Sequence, residues 1–532
     1  MKTAILSLLI CLSAFAQDSA PLFTIQAPSQ PATSPDPTQP ARTHSPALPV
    51  TTTTTTGNTQ SSSPIPTLTA ADVQSIVQNA AQSVNVGTLV IAVTDRQGDI
   101  LAVYRQPNAP ATAIGNLGAT VDSNELAVGL ARTAGFFSND QAPLSSRTVR
   151  FISGIHFPNG VLFTSSGPLY AIENSNRGCS FNTTFLPGQS VPPATSIDGK
   201  HPGLGIITGK ADLMDSNPYA VNSGGVPLFK HGVVVGGVGV TGASDSISEF
   251  AAFSGAVGAG FGPTPAPPGV VIAGGIALPF VNQTTQPAGT SPGPFNGSFL
   301  ISPQSAPGPD PEGDLIPVKA GPKGGLTQSD VQGIVNAAVA AGNQTRAVIR
   351  LPDGVKARFV IAVSDLDGTL LALHRMPDAT IFSIDVSVAK SRNVIYFTAN
   401  QALPGVPANT AVTNRTIGYG SQPLFPIGID YTKPGPFFSL FESDTANPCT
   451  QGAQPANPNQ NGVVFFPGSV PLYKNGVLVG GLGVSGDGVD QDDYVTAQGA
   501  VGFEAPVAIQ ADNVIIDGVR LPYLKFPRNP TE

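Results

Sequence analysis

The chain contains no tryptophan, only three cysteines and three methionines, and just 11% charged residues. An average soluble domain carries roughly 25% charge. No run of lysine or arginine interrupts the sequence and the net charge is −8, which argues against a nucleic-acid partner. Three cysteines are too few for a disulfide-dense scaffold. Beyond the first residues, no apolar run approaches the ~20 residues needed to cross a bilayer. Neither a GxxxxGK phosphate loop nor an HExxH metal pair is present, and none of the five histidines recurs at metal-ligand spacing. At 532 residues, the chain is long enough for two or more domains.

The N-terminus reads as an export signal over residues 1–16. Lys2 precedes an apolar run from Ala4 to Ala14, and Ala14-Phe15-Ala16 makes a small-x-small cleavage site. Residues 17–66 are rich in Pro, Thr, Ser and Ala, with threonine throughout Thr51 to Thr56, and read as a disordered stalk that includes His44. The expected mature protein is secreted or periplasmic, with no membrane span.

What the chain has in abundance is glycine and proline, and much of the glycine falls in one repeated stretch. Pro471 to Gly486 reads PLYKNGVLVGGLGVSG, and Pro227 to Gly242 reads PLFKHGVVVGGVGVTG. Asn475-Gly476 between apolar runs signals a tight hairpin, and His231-Gly232 stands in its place in the twin. Glycines at alternate positions, Gly481 and Gly483 or Gly237 and Gly239, clear one face of the strand for a flat ligand or another backbone. The repeat extends upstream. Thr69 to Asp72 and Thr327 to Asp330 are capping boxes opening amphipathic helices. LVIAVTDRQGDILAVYRQPNA and FVIAVSDLDGTLLALHRMPDA each read as two strands around Gly98 or Gly368. Second helices follow from Ser123 and Ser383, and each copy finishes with a late strand, from Val270 or Val514. The second copy carries an insertion around Arg346 to Arg358. Two self-sufficient domains are therefore expected at 67–281 and 326–524, with a Pro/Gly linker at 282–325 and a tail at 525–532. Each should be an α+β unit, an antiparallel sheet with flanking helices.

The glycine-rich ending also matches a dinucleotide fingerprint at Gly237 to Gly242 and Gly481 to Gly486. That fingerprint requires the first turn of a parallel βαβ unit, whereas these glycines lie in the second arm of a hairpin, so close packing is the better reading. Asp95 and Asp365 open the hairpin turns and cap their own backbone. Cys179 and Cys449 occupy matched places in the long middle stretches. Either a bond between copies or two buried thiols fits their placing.

IAVSDLDGTLLALHRMPDA, SIDVSVAKSRN and VPLYKNGVLVGGLGVSGDGVDQDD in copy two resemble the haem-binding, glycolate-utilisation-type GlcG/HbpS-like family (DUF336). Copy one retains IAVTDRQGDILAVYR and GGVPLFKHGVVVGGVGVTG. The resemblance implies a profilin-like α/β fold, export in many members, oligomers, and binding of haem or a related tetrapyrrole in some. Arg375, Asp385, Lys390, Gln491 and Asp492 match the polar pattern in copy two. Copy one keeps only Arg105 and Glu125, with Leu130, Ile247 and Ser248 at the other places. Histidine and tyrosine both ligate haem iron and arginine can hold a propionate, which makes His374-Arg375 and Tyr104-Arg105 candidates. A polar strand edge meeting solvent explains the same residues. His374 is the one metal-ligand candidate, and Gly481 and Gly483 are candidates for a flat wall. The expectation is a haem-binding protein whose second copy is competent, with a haem-degrading or small hydroxy-acid/carbonyl redox enzyme, or a surface-display or adhesion module, as alternatives.

Overall fold

In the computed structural model the described residues are 65–115, 118–172, 179, 181, 196–198, 223–263, 271–399, 403–447, 449–452 and 454–532. The expected leader and nearly all of the stalk, together with His44 and His201, lie outside them.

Both capping boxes form. The Thr69 hydroxyl accepts from the Asp72 N–H while the Asp72 carboxylate accepts from the Thr69 N–H, and Thr327 and Asp330 do the same. These caps open α1 (Ala70–Gln82) and, in copy two, α4 (Gln328–Gly342). Copy one continues through β1 (Val90–Asp95), β2 (Ile100–Arg105), α2 (Ser123–Phe137), β3 (Gly225–Lys230), β4 (Val233–Thr241) and α3 (Asp245–Gly258). Two further strands, β5 (Ser298–Ile301) and β6 (Gly313–Ile316), precede α4. Copy two then runs β7 (Phe359–Ser364), β8 (Leu370–Arg375), α5 (Phe382–Ala399), β9 (Ser469–Lys474), β10 (Val477–Gly486) and α6 (Val489–Gly499).

The strands make two five-stranded antiparallel sheets of matching order, β3-β4-β1-β2-β5 and β9-β10-β7-β8-β6. Residues 282–325, expected only to link the copies, thus supply an edge strand to each sheet. Four-residue strands among Pro, Gly and Ser show no usable alternation, which hid them in the sequence. The late strands also differ from expectation. They fold as two-residue arms, Ile272–Ala273 with Ile276–Ala277 and Ile515–Ile516 with Val519–Arg520. Left-handed backbone at Gly274 and Gly275, and at Asp517 and Gly518, turns the chain in mid-run. His231-Gly232 and Asn475-Gly476 adopt positive φ at both positions, as the hairpin reading requires.

Each sheet is covered on both faces. Helices α1 and α3 bury Val73, Ile76, Val77, Ala252 and Ala256 against Ile91, Val93, Val238 and Val240. Helices α4 and α6 do the same over Ile361, Val363, Leu482 and Val484. On the opposite face lies α2 or α5. A Cβ on Gly237 or Gly239 would sit 2.0 Å from the carbonyl oxygens of Ala131 and Ala127, and one on Gly481 or Gly483 would sit 2.2 and 2.1 Å from those of Ser391 and Ser387. No side chain fits there, so the glycines exist to let the helix approach the sheet. This is the α+β layout expected for each copy.

The copies share a core, contrary to the picture of self-sufficient domains. Phe136, Phe137 and Leu144 of copy one belong to the same apolar cluster as Val360, Ala362, Phe382 and Val386 of copy two. The Phe137 and Phe382 rings stack at 4.2 Å. Around them Arg96 pairs with Asp378 at 2.7 Å, and Arg350, from the insertion, bridges Asp378, Asp487 and Gln141. Cys179 and Cys449 are joined by a disulfide that closes the two middle stretches on one another.

Candidate functional site

Helix α5 is enclosed on nearly every side, yet it carries Ser383, Asp385, Ser387, Lys390, Ser391, Arg392 and Asn393. Buried polar groups are costly unless paired, so their partners define what the helix can do. Arg392 donates to the carbonyls of Gly368 and Phe181 and to Asn461, at 2.9–3.0 Å. Asp385 accepts from Asn461 at 3.1 Å. Lys390, with no exposed surface, donates to Asp492 and to the Val484 carbonyl, each at 2.8 Å, and lies 5.0 Å over the Phe466 ring. Asp385 and Lys390 therefore face different partners and form no acid–base pair.

Burial lowers the pKa of Lys390, and burial pushes Asp492 up to about 7, with Lys390 pulling it back down. Its Oδ1 has no hydrogen-bond partner among the described residues. Gln491 is buried beside it against Gly488. Next along α6, Asp493 takes the N–H groups of Gly468 and Lys525, and Arg415 links Asp493 to Asp490. The nearby void between Asp385, Asn461, Val464 and Phe466 measures about 10 Å³, room for a single water.

The remaining expected site residues are not gathered here. His374 and Arg375 are neighbours on a strand and point to opposite faces. His374 lies across from Ile361 on the α4/α6 side, and Arg375 across from Val360 on the α5 side. Arg375 is fully buried, donating to the carbonyls of Ala379 and Pro311 and pairing with Asp310 at 2.5 Å. His374 lies on β8, next to the edge strand β6, with its Nδ1 at 2.7 Å from Asp314 of β6. The proposed flat wall at Gly481 and Gly483 is already occupied by α5. In copy one, Tyr104 is a core residue: its ring stacks on Phe295 at 4.8 Å and its hydroxyl accepts from the Gly297 N–H. Arg105 donates to Asn124 and to the carbonyls of Ala109 and Pro110. Glu125 accepts from the Ile197 N–H at 2.7 Å, and burial raises its pKa.

One recurring feature escaped the sequence reading. Ser145-Ser146-Arg147-Thr148 and Thr413-Asn414-Arg415-Thr416 each cap a short helix, Ser146–Ser153 or Asn414–Gly420. The capping hydroxyls also donate to carbonyls of the terminal Pro279-Phe280 and Pro522-Tyr523. The arginine pairs with Glu249 in one copy and Asp493 in the other. Aligning the two middle stretches on Arg-Thr would have exposed it.

Residues 326–501 match a family model described as Haem degrading protein HbpS-like. The second copy thus resembles the HbpS-like family over these residues. Among curated proteins, the corrinoid adenosyltransferases PduO of Salmonella typhimurium and Citrobacter freundii are each 28% identical over 148 residues, 28% of this chain and 33% of theirs. The chain thus spans about a third of the length of those relatives. Solved structures similar to it include a PduOC:heme complex (22% identity, covering 34% of this chain and 96% of that one, TM-score 0.23) and HbpS (20% identity, 33% and 88%, TM-score 0.21). In the second copy, Lys390 and Asp492 form a charged pair sealed beneath β10.

Proposed function

We propose that the chain is an exported protein that binds haem or a related tetrapyrrole through its second copy. The observation that carries this is the match of 326–501 to the HbpS-like family. The two PduO relatives support the class of ligand, being named for a corrinoid, another tetrapyrrole-derived macrocycle. The leader-like residues 1–16 and the Cys179–Cys449 disulfide support export, since such bonds persist in oxidising compartments.

Haem does not fit the cradle first expected for it. The glycine face is filled, the void beside Asp385 has room for no more than one water, and Arg375 and Lys390 are engaged by internal partners. His374 does fit as a donor. A carboxylate at Nδ1 fixes the imidazole tautomer that leaves the lone pair on Nε2, and Asp314 is so placed. The reading is therefore a ligand seated at the β8–β6 edge with His374 as the iron donor, and not beneath β10.

Titrating hemin into the full chain should give a saturable Soret shift. His374→Ala should abolish the histidine-ligated spectrum, and Asp314→Asn should weaken affinity by about 10-fold. A shift that His374→Ala leaves untouched would move the ligand elsewhere, and no saturable shift would end the reading. Because the family description names haem degradation, the same sample with added reductant separates binding from turnover: a stable Soret band means binding, progressive bleaching means degradation.

A further inference from the structure

The middle stretches hold a second repeat that the haem reading does not use. Phe157-Pro-Asn-Gly-Val-Leu-Phe163-Thr164 in copy one corresponds to Phe425-Pro-Ile-Gly-Ile-Asp-Tyr431-Thr432 in copy two. The two loops meet. His156 Nε2 lies 2.7 Å from Asp430, the Phe163 N–H donates to the same carboxylate at 2.5 Å, and the Phe163 and Tyr431 rings meet edge to face at 6.2 Å.

Both loops spend conformational energy to present their aromatic tips. Phe163 and Tyr431 each adopt left-handed backbone, φ 60° and 63°, which is unfavourable for a bulky side chain. The rings are nevertheless left in solvent, Phe163 at 62% and Tyr431 at 83% exposed, with Val161, Leu162 and Ile429 exposed beside them. Residues 157–166 contain no charged side chain, Asp430 is buried against His156, and the neighbouring Lys433 is paired with Asp517 at 2.9 Å. The result is an exposed ridge whose tip, Val161 to Phe163 with Ile429 and Tyr431, is apolar, on a chain of net charge −8.

We infer that this paired-loop ridge is a membrane-contacting surface that inserts into the interfacial region of a lipid bilayer. An exposed surface of Leu, Val, Ile, Phe and Tyr suits a soft apolar phase, and tyrosine favours the boundary where one end is wet. A neutral ridge on an acidic chain selects zwitterionic lipid and makes attachment insensitive to salt.

The test uses the full chain with phosphatidylcholine vesicles. Wild type should co-sediment with them equally at low and high salt. The Leu162→Ser/Phe163→Ser/Tyr431→Ser variant should partition about 10-fold less or weaker still. Since the chain has no tryptophan, Phe163→Trp provides a unique reporter whose emission should shift to the blue on adding vesicles. It reads out the contact even if the triple variant folds poorly. Wild type remaining in the supernatant, an unshifted Trp emission, or undiminished binding by a folded triple variant would each overturn the inference. A ridge that instead binds a protein partner would leave the vesicles untouched. None of these readouts depends on haem.

Discussion

The two copies share strand order, capping boxes, glycine strands and the Arg-Thr caps, yet differ at the centre of the second helix. Copy two places Lys390 and Asp492 in contact, both without meaningful solvent exposure. Copy one fills the corresponding places with Leu130 and Ser248, and Leu130 packs beside Leu126 in a small apolar cluster. The same backbone thus closes over a charged pair or over a leucine. Removing two charges from water costs more than their attraction reliably returns. The pair is therefore not what makes the fold possible, and copy one demonstrates the apolar solution.

The comparison breaks most severely at the link between copies. Replacing Cys179 and Cys449 by serine opens a loop whose ends are 270 residues apart, and should cost about 5–6 kcal/mol of stability in the chain-entropy account. Chemical denaturation of wild type and variant measures it. Because Phe137 and Phe382 lie in one core, the variant should still unfold in a single transition. Two separated transitions would show that the copies stand alone after all.

Next comes the charged pair itself. Lys390→Ala leaves Asp492 buried without its cation and should cost about 3–5 kcal/mol. The double variant Lys390→Leu/Asp492→Ser, which writes copy one's residues into copy two, should lie within about 1 kcal/mol of wild type. If the double variant is as unstable as the single one, the copies are not interchangeable at this position.

A smaller effect separates the two hairpin turns. Asp365 receives the N–H groups of Lys323 and Gly324, whereas Asp95 Oδ2 has no hydrogen-bond partner among the described residues. Burial, with the Asp99 charge second, pushes Asp95 up to about 7. A carboxyl whose folded pKa is raised contributes stability in full below its unfolded value, 3.8, and loses it as pH climbs through about 7. Thermal melts from pH 5 to 8 should show wild type losing ground to Asp95→Asn as pH rises.

Much of this architecture was legible because the signals are local. Thr69-Asp72 and Thr327-Asp330 announce helix starts, and Asn475-Gly476 announces a turn, whatever surrounds them. The glycine strand was readable as a close approach, but the sequence left open whether a ligand or a helix makes it. Only the packing of Ser387 and Ser391 against Gly483 and Gly481 decides for the helix. The separation of His374 from Arg375 was available in principle, since adjacent strand residues face opposite sides. The edge strands in 282–325 were not, because their pairing with β2 and β8 is long-range and their own sequence carries no period. Nor could the shared core be foreseen: the apolar faces of α2 and α5 read alike whether they meet solvent, a second chain or each other.

The sharpest measurement of the difference between copies is the stoichiometry of hemin on the full chain, read from the Soret band. His374 lies in copy two, with its Asp314 partner on the edge strand β6 of the same sheet, while the matching Tyr104 of copy one is enclosed by Phe295 and Phe299. The account predicts saturation at one hemin per chain, lost in His374→Ala. Two equivalent sites per chain, or a single site that survives His374→Ala and is lost in Tyr104→Phe, would contradict it.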